Sequence, residues 1–195
     1  FDMARTLLND DGVQLWTDAV LRTKLQTAHR ELQIQLRANA CPITRKTVVV
    51  QVGVRDTSIP NPTDIIEPIA LWERGLNEFD SQFQRMTESD PLPITTISDR
   101  LIYWRWTEET IEILGSDQAR MVKINYKRLL PIPTKASDPL GIIDGENYLG
   151  PRIAALAFGS TGNTQTADWC TNMATATLGD ILQANRGRSR QVPRS

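Results

Sequence analysis

The apolar positions of the chain change period three times, and each change marks a different kind of element. Over residues 10–40, Val13, Trp16, Val20, Leu25, Ala28, Leu32 and Leu36 recur at helical spacing, with Asp18, Arg22, Lys24, Arg30 and Arg37 on the other face. This predicts one long helix. Asp10 or Asp11 is placed to cap its start, and Asn39 with Pro42 to end it. "TVVVQVGV" (47–54) then alternates with period two, so Val48, Val50, Val52 and Val54 share one face of a strand. Ile65–Trp72 reads as a further strand, at a sheet edge because of Pro68. "LNEFDSQFQRM" predicts a short helix, with Leu76, Phe79, Phe83 and Met86 on one side.

Residues 101–107, 110–114 and 119–126 alternate again. The links "TEET" and "GSDQ" are of turn length, which predicts a three-stranded antiparallel meander. Ile102, Trp104 and Trp106 fall on its apolar face, with Ile111, Ile113, Val122, Ile124 and Tyr126. Arg105, Thr110, Glu112, Lys123 and Asn125 fall on the other. Residues 129–150 read as a long irregular connection. Pro151 suits the first turn of a helix over 151–158. The last helix has Thr166 as its cap, Cys170, Ala174, Leu178 and Ile181 as its stripe, and Gly187 as its stop.

This order predicts an α+β fold, a helical bundle closed by both chain ends around an inserted antiparallel β module. The expected divisions are 1–46 for the first bundle helix, 47–130 for the β module, 131–186 for the C-terminal helices and 187–195 for a basic tail.

Composition narrows the function. The chain has 195 residues, 40% hydrophobic and 23% charged, with a net charge of −1, which argues against nucleic-acid affinity spread over the whole surface. The charge is uneven, however. The last ten residues hold Arg186, Arg188, Arg190 and Arg194 and no acid. The sequence offers no transmembrane run and no signal-peptide pattern. Two cysteines outside any CxxC spacing suggest folding in a reducing compartment.

Candidate chemistry is sparse. His29 is the only histidine, and no carboxylate lies three or four residues from it. The pairs Glu108–Glu109, Asp10–Asp11 and Asp64 with Glu67 read more simply as a turn, a helix start and a cap. The glycines form neither a dinucleotide fingerprint nor a P-loop. No catalytic, cofactor or metal residue is assigned. Trp72, Trp104, Trp106 and Tyr126 read as sheet core or interface. The competing reading is a stacking platform for bases, which would need basic groups beside the rings.

In order, "LQTAHRELQIQL", the valine strand with "PNPTDIIEPIALWERG", "YWRWTEETIEILG", "LLPIP" with "DGENYLGPRIAALAFG", and "RGRSRQVPRS" cover nearly the whole chain. Together they resemble the head–tail adaptor (connector) proteins of tailed bacteriophages, of the tail-tubular class. The resemblance implies a non-enzymatic virion protein of the neck, assembled in the host cytoplasm. It implies a homo-oligomeric ring below the portal, expected to be twelve-fold, with genomic DNA passing through its lumen. Its implied partners are the portal protein and a tail, nozzle or tail-terminator protein, with the arginine tail reaching into the portal. The alternative is a nucleic-acid-binding module that uses the aromatic sheet face and the basic tail.

Overall fold

The computed structural model describes residues 2–10, 15–134, 138 and 140–187. It is α+β. In chain order the elements are α1 (Asp2–Leu8), α2 (Asp18–Ala38), a 3-10 turn (Pro42–Thr44), β1 (Arg45–Val52), β2 (Ser58–Pro60), β3 (Ile65–Gly75), a 3-10 turn (Asp80–Gln82), β4 (Gln84–Arg85), β5 (Thr87–Glu88), β6 (Tyr103–Trp106), β7 (Thr110–Ile113), β8 (Arg120–Arg128), α3 (Gly145–Ser160) and α4 (Thr164–Gly187). The chain divides into two compact units between Thr44 and Arg45 and again between Leu129 and Leu130. The first unit is helical and the second is built of strands.

In the helical unit, α2 buries Leu21, Ala28, Leu32 and Leu36, together with His29 and Gln33. The buried stripe starts at Leu21, while Val20 is exposed. The helix also starts later than the periodicity suggested. Thr17 is its cap and accepts from the Val20 N–H at 3.5 Å. Asp10 is spent elsewhere: its carboxylate accepts from the backbone of Leu15 at 2.9 Å and of Trp16 at 2.8 Å. Arg5 of α1 donates to Asp10 at 3.4 Å, to the Trp16 carbonyl at 3.1 Å and to Asp18 at 2.5 Å. This one guanidinium ties α1 to the first turn of α2. A seven-residue helix is too short for period counting, so α1 was not foreseen. It packs closely on α3, where a Cβ on Gly150 would lie 2.5 Å from the Met3 sulfur.

The helix α3 begins six residues before the predicted 151–158 segment and buries Tyr148, Leu149, Ile153, Ala154, Ala155 and Ala157. Pro151 therefore sits inside the helix. A proline lacks the N–H that would bond the carbonyl four residues earlier. Here that carbonyl, on the exposed Asn147, is reached by the Thr177 hydroxyl of α4 at 3.3 Å, a hydroxyl that also lies 2.8 Å from the Ala174 carbonyl. Asn163 takes the capping role expected of Thr166, accepting from the Thr166 N–H at 3.3 Å. The α4 stripe buries Cys170, Ala174 and Ile181, with Leu178 half-buried.

The strand unit contains two four-stranded sheets, in the orders β1-β8-β3-β4 and β2-β7-β6-β5. Val52, Leu71, Val122, Ile124 and Tyr126 of the first meet Ile59, Trp104, Ile111 and Ile113 of the second in one core. The expected meander is thus half right. β6 and β7 form the hairpin, with Trp104 opposite Ile113 and Trp106 opposite Ile111. The third strand, β8, leaves for the other sheet. The "GSDQ" link crosses rather than turns, because Arg55 donates its N–H to the Ser116 carbonyl at 2.8 Å and Ser116 bridges to Ser98. Ile102 is exposed rather than on the core face.

Two further expectations change, while a third holds in part. β8 pairs β3 along one side, and β4 covers the other side only at Trp72 and Glu73, so the part that carries Pro68 is an open edge as expected. Two register shifts flank Pro68 and absorb it. The helix expected over 76–86 is a single 3-10 turn followed by β4. Of its predicted stripe only Met86 is buried, and Phe79 is 79% exposed. β1 ends at Val52, leaving Val54 exposed.

Trp104 is 2% exposed at the centre of this core. Trp104→Ala is expected to cost about 3–5 kcal/mol, read as a lower midpoint in urea denaturation followed by circular dichroism.

Candidate interaction surfaces

The residues singled out in the sequence land in three different settings. Trp104 and Tyr126 are core residues. The Tyr126 hydroxyl donates to Asp64 at 2.7 Å, and Lys46 pairs with the other Asp64 oxygen at 2.9 Å. Burial alone would raise the Asp64 pKa. The bonds from Tyr126 and Lys46 outweigh it and hold the carboxyl below its usual range. Trp106 is half-buried against the same core. Trp72 lies on the outer face of its sheet, opposite Lys123, whose ammonium stands 5.2 Å from the indole centroid and 4.3 Å from that of Phe83. Arg74 covers Phe83 at 5.1 Å. Among the described residues, the cations found over aromatic rings are these, at Trp72 and Phe83. Trp169 of α4 is not a core residue; it is 54% exposed.

Arg186 is exposed in the last turn of α4. Arg188, Arg190 and Arg194 lie outside the described residues.

The buried charges were not legible in the sequence. Glu73, 1% exposed, accepts from Arg100 at 3.0 Å and from Arg120 at 2.7 Å. Two guanidiniums on one carboxylate satisfy it, and an alternating strand gives no sign of an inward charge. Arg152 of α3 forks onto Glu31 of α2 at 2.6 and 3.1 Å and donates to Thr171 of α4 at 3.0 Å. These are links between elements, with every ionised group paired. Among the described residues, no group of three or more His, Cys, Asp or Glu side chains could hold a metal ion. None of the described helices is long and apolar enough to cross a membrane.

His29 is fully buried in α2, and its Nδ1 lies 2.9 Å from the Gln33 amide nitrogen. The Gln33 amide is oriented by the backbone of Leu130, giving its N–H to the carbonyl at 2.9 Å and accepting the Leu130 N–H at 3.2 Å. Nδ1 of His29 therefore accepts, and a second proton on the ring would face a donor. Burial also lowers the His29 pKa.

What the surface offers is contact. Ile94 is wholly exposed, and Phe79, Ile97, Val49 and Trp169 are about half exposed or more. In the helical unit, a groove of about 410 Å³ is floored by Leu25, Leu149 and Ile153 and rimmed by Asp2, Asp18 and Glu146. An apolar groove and exposed apolar side chains are surface on which another protein could be seated.

The sequence matches a family of phage adaptor proteins over residues 2–194. The family is that of the SU10 adaptor protein, and the chain belongs to it. It is thus a bacteriophage structural adaptor of the virion, with portal and tail components as the partners of such proteins. No curated protein matches the chain.

The buried histidine makes stability depend on pH with a definite sign. The unfolded chain binds a proton near pH 6.5, and the folded chain binds it only at lower pH. Stability is therefore constant above that point and falls below it, by up to about 1.4 kcal/mol per pH unit. His29→Gln, which cannot titrate, should flatten this part of the profile in urea denaturations between pH 7.5 and 5.

Proposed function

We propose that this adaptor assembles as a closed, head-to-tail ring beneath the portal and joins the capsid to the tail, with the genome passing through its lumen. The ring is twelve-fold in this reading, matching the portal. The helical ends, 1–46 and 131–186, dock on the portal. The β module, 47–130, receives the tail, nozzle or tail-terminator protein. The arginine tail, Arg186, Arg188, Arg190 and Arg194 within 186–195, inserts as an arm against portal carboxylates, where planar guanidiniums form paired bonds.

Membership of the adaptor family over residues 2–194 carries this reading. The build of the chain supports it. Two compact units give one subunit two separate places for neighbours, and the charged groups inside each unit are used to fasten elements together. Trp72 and Trp106, half-buried on opposite sheets, remain available to neighbours in a ring.

A second reading rests on Trp72, Phe83, Lys123 and Arg74, which bring aromatic rings and cations together on one sheet face. If that face bound single-stranded nucleic acid, oligonucleotides would quench tryptophan fluorescence and the affinity would fall steeply with salt. The adaptor reading expects neither.

Deleting residues 187–195 tests the arm. The melting temperature should stay unchanged, and attachment to purified portal rings, scored by negative-stain imaging and co-sedimentation, should be lost or sharply weakened. Full occupancy of portals by the truncated protein would refute the arm.

A further inference from the structure

The two sheets of the strand unit present four edges, and three of them are blunted. β4 and β5 are two residues long, and β2 is three residues ending in Pro60. Where β4 leaves the side of β3 uncovered, Pro68 and two register shifts break the strand. These are the usual protections of a sheet edge.

β1 has none of them. It runs for eight residues in unbroken register with β8, from Arg45 opposite Lys127 to Val52 opposite Arg120. It contains no proline, and its charges are confined to Arg45 and Lys46. Thr47–Val52 is uncharged and mostly β-branched, with Val48 and Val50 half-buried and Val49 48% exposed. The backbone groups of β1 that face away from β8 bond no other described residue.

The same unit contains a segment with the opposite deficit. The chain between β5 and β6 is pinned at Ser89, whose N–H bonds the Trp104 carbonyl at 2.9 Å. It is pinned again at Ser98, whose carbonyl accepts the Asp117 N–H at 3.0 Å. Between these pins, Leu92–Ile97 makes no hydrogen bond to any described residue. Its sequence, "LPITTI", ends in four β-branched residues, a composition suited to a strand and costly to leave in water. Ile94 is fully exposed and Ile97 55% exposed.

We infer that Ile94–Ile97 of one subunit adds as a strand to the free edge of β1 in a second copy of the chain. This rests on the ring reading and names its subunit contact. The donated strand would pair the open backbone groups of both partners and cover Val48 and Val50. Each subunit carries one acceptor, the β1 edge of one sheet, and one donor, the link between β5 and β6 of the other. Such a contact is head-to-tail, and it closes into a ring when the rotation permits.

The double variant Thr95→Pro/Thr96→Pro in the full-length protein tests this, because successive N–H groups of a strand face opposite sides and one of these two must be donated in any register. The melting temperature should stay unchanged while rings, imaged on portals and followed by sedimentation, are lost. A lowered melting temperature would show that the segment belongs to its own fold, and would overturn the inference. Rings that persist with the double variant would overturn it too and leave the ring reading standing. Wild-type protein that forms no ring on portals would overturn both. A second arm mixes Gln51→Cys with Thr95→Cys protein under mild oxidation, the native Cys41 and Cys170 being buried. Mixed disulfide dimers are expected. A predominance of Gln51→Cys homodimers would show β1 pairing with itself and refute strand donation.

Discussion

Two side-chain amides hold the helical unit together where its chain is least able to hold itself. The segment that returns from the strands carries Pro131 and Pro133, and residues 130–134 form neither a helix nor a ladder. Its ends are nevertheless buried, at Leu130 and Ile142. A buried backbone N–H and carbonyl must find partners. Gln33 of α2 supplies both to Leu130. Asn185 of α4 supplies both to Ile143, accepting at 3.2 Å and donating at 3.1 Å. A carboxamide has one donor edge and one acceptor edge, like a peptide group, so each side chain stands in for a missing strand. His29 in turn takes the remaining Gln33 proton. Replacing Gln33 by an apolar residue would strand three polar groups at once.

The inserted unit meets the complementary constraint by pairing its first strand with its last. With Arg45 opposite Lys127, the chain leaves and returns side by side in one ladder. An insertion whose ends are neighbours asks little of its host, which is how a long excursion can interrupt a set of helices. The buried Glu73, held by two arginines from separate segments, adds a cost in desolvation that only this arrangement of strands repays. That favours one pairing of the sheets over its alternatives.

The α+β class and the hairpin around Trp104 could be read from periodicity, because period-two alternation and helical stripes are properties of single segments. Sheet membership could not. Nothing in "GSDQ" distinguishes a turn from a crossover, since the difference lies in the bonds from Arg55 and Ser98 to Ser116. α3 was underestimated for a physical reason as well. A helix buried around most of its girth shows no stripe, and Pro151 looked like a beginning only because its compensating hydroxyl lies on another helix. The surfaces were harder still. Trp72 and Trp104 are both tryptophans in strands, and only the register with Lys123 separates an outer face from a core. The free edge of β1 became visible only once every other edge was found to be protected.

The Thr177 hydroxyl on the Asn147 carbonyl carries a mechanical implication. Packed helices can slide past one another by a turn, exchanging one set of apolar contacts for a similar set. Here such a slip would part the Thr177 hydroxyl from the carbonyl freed by Pro151, a contact at the exposed rim of the pair. Arg152, forked onto Glu31 and bonded to Thr171, fixes the same pair from the next position along α3. α3 and α4 are thus keyed like a shaft and hub. A push along one is delivered to the other without lost motion.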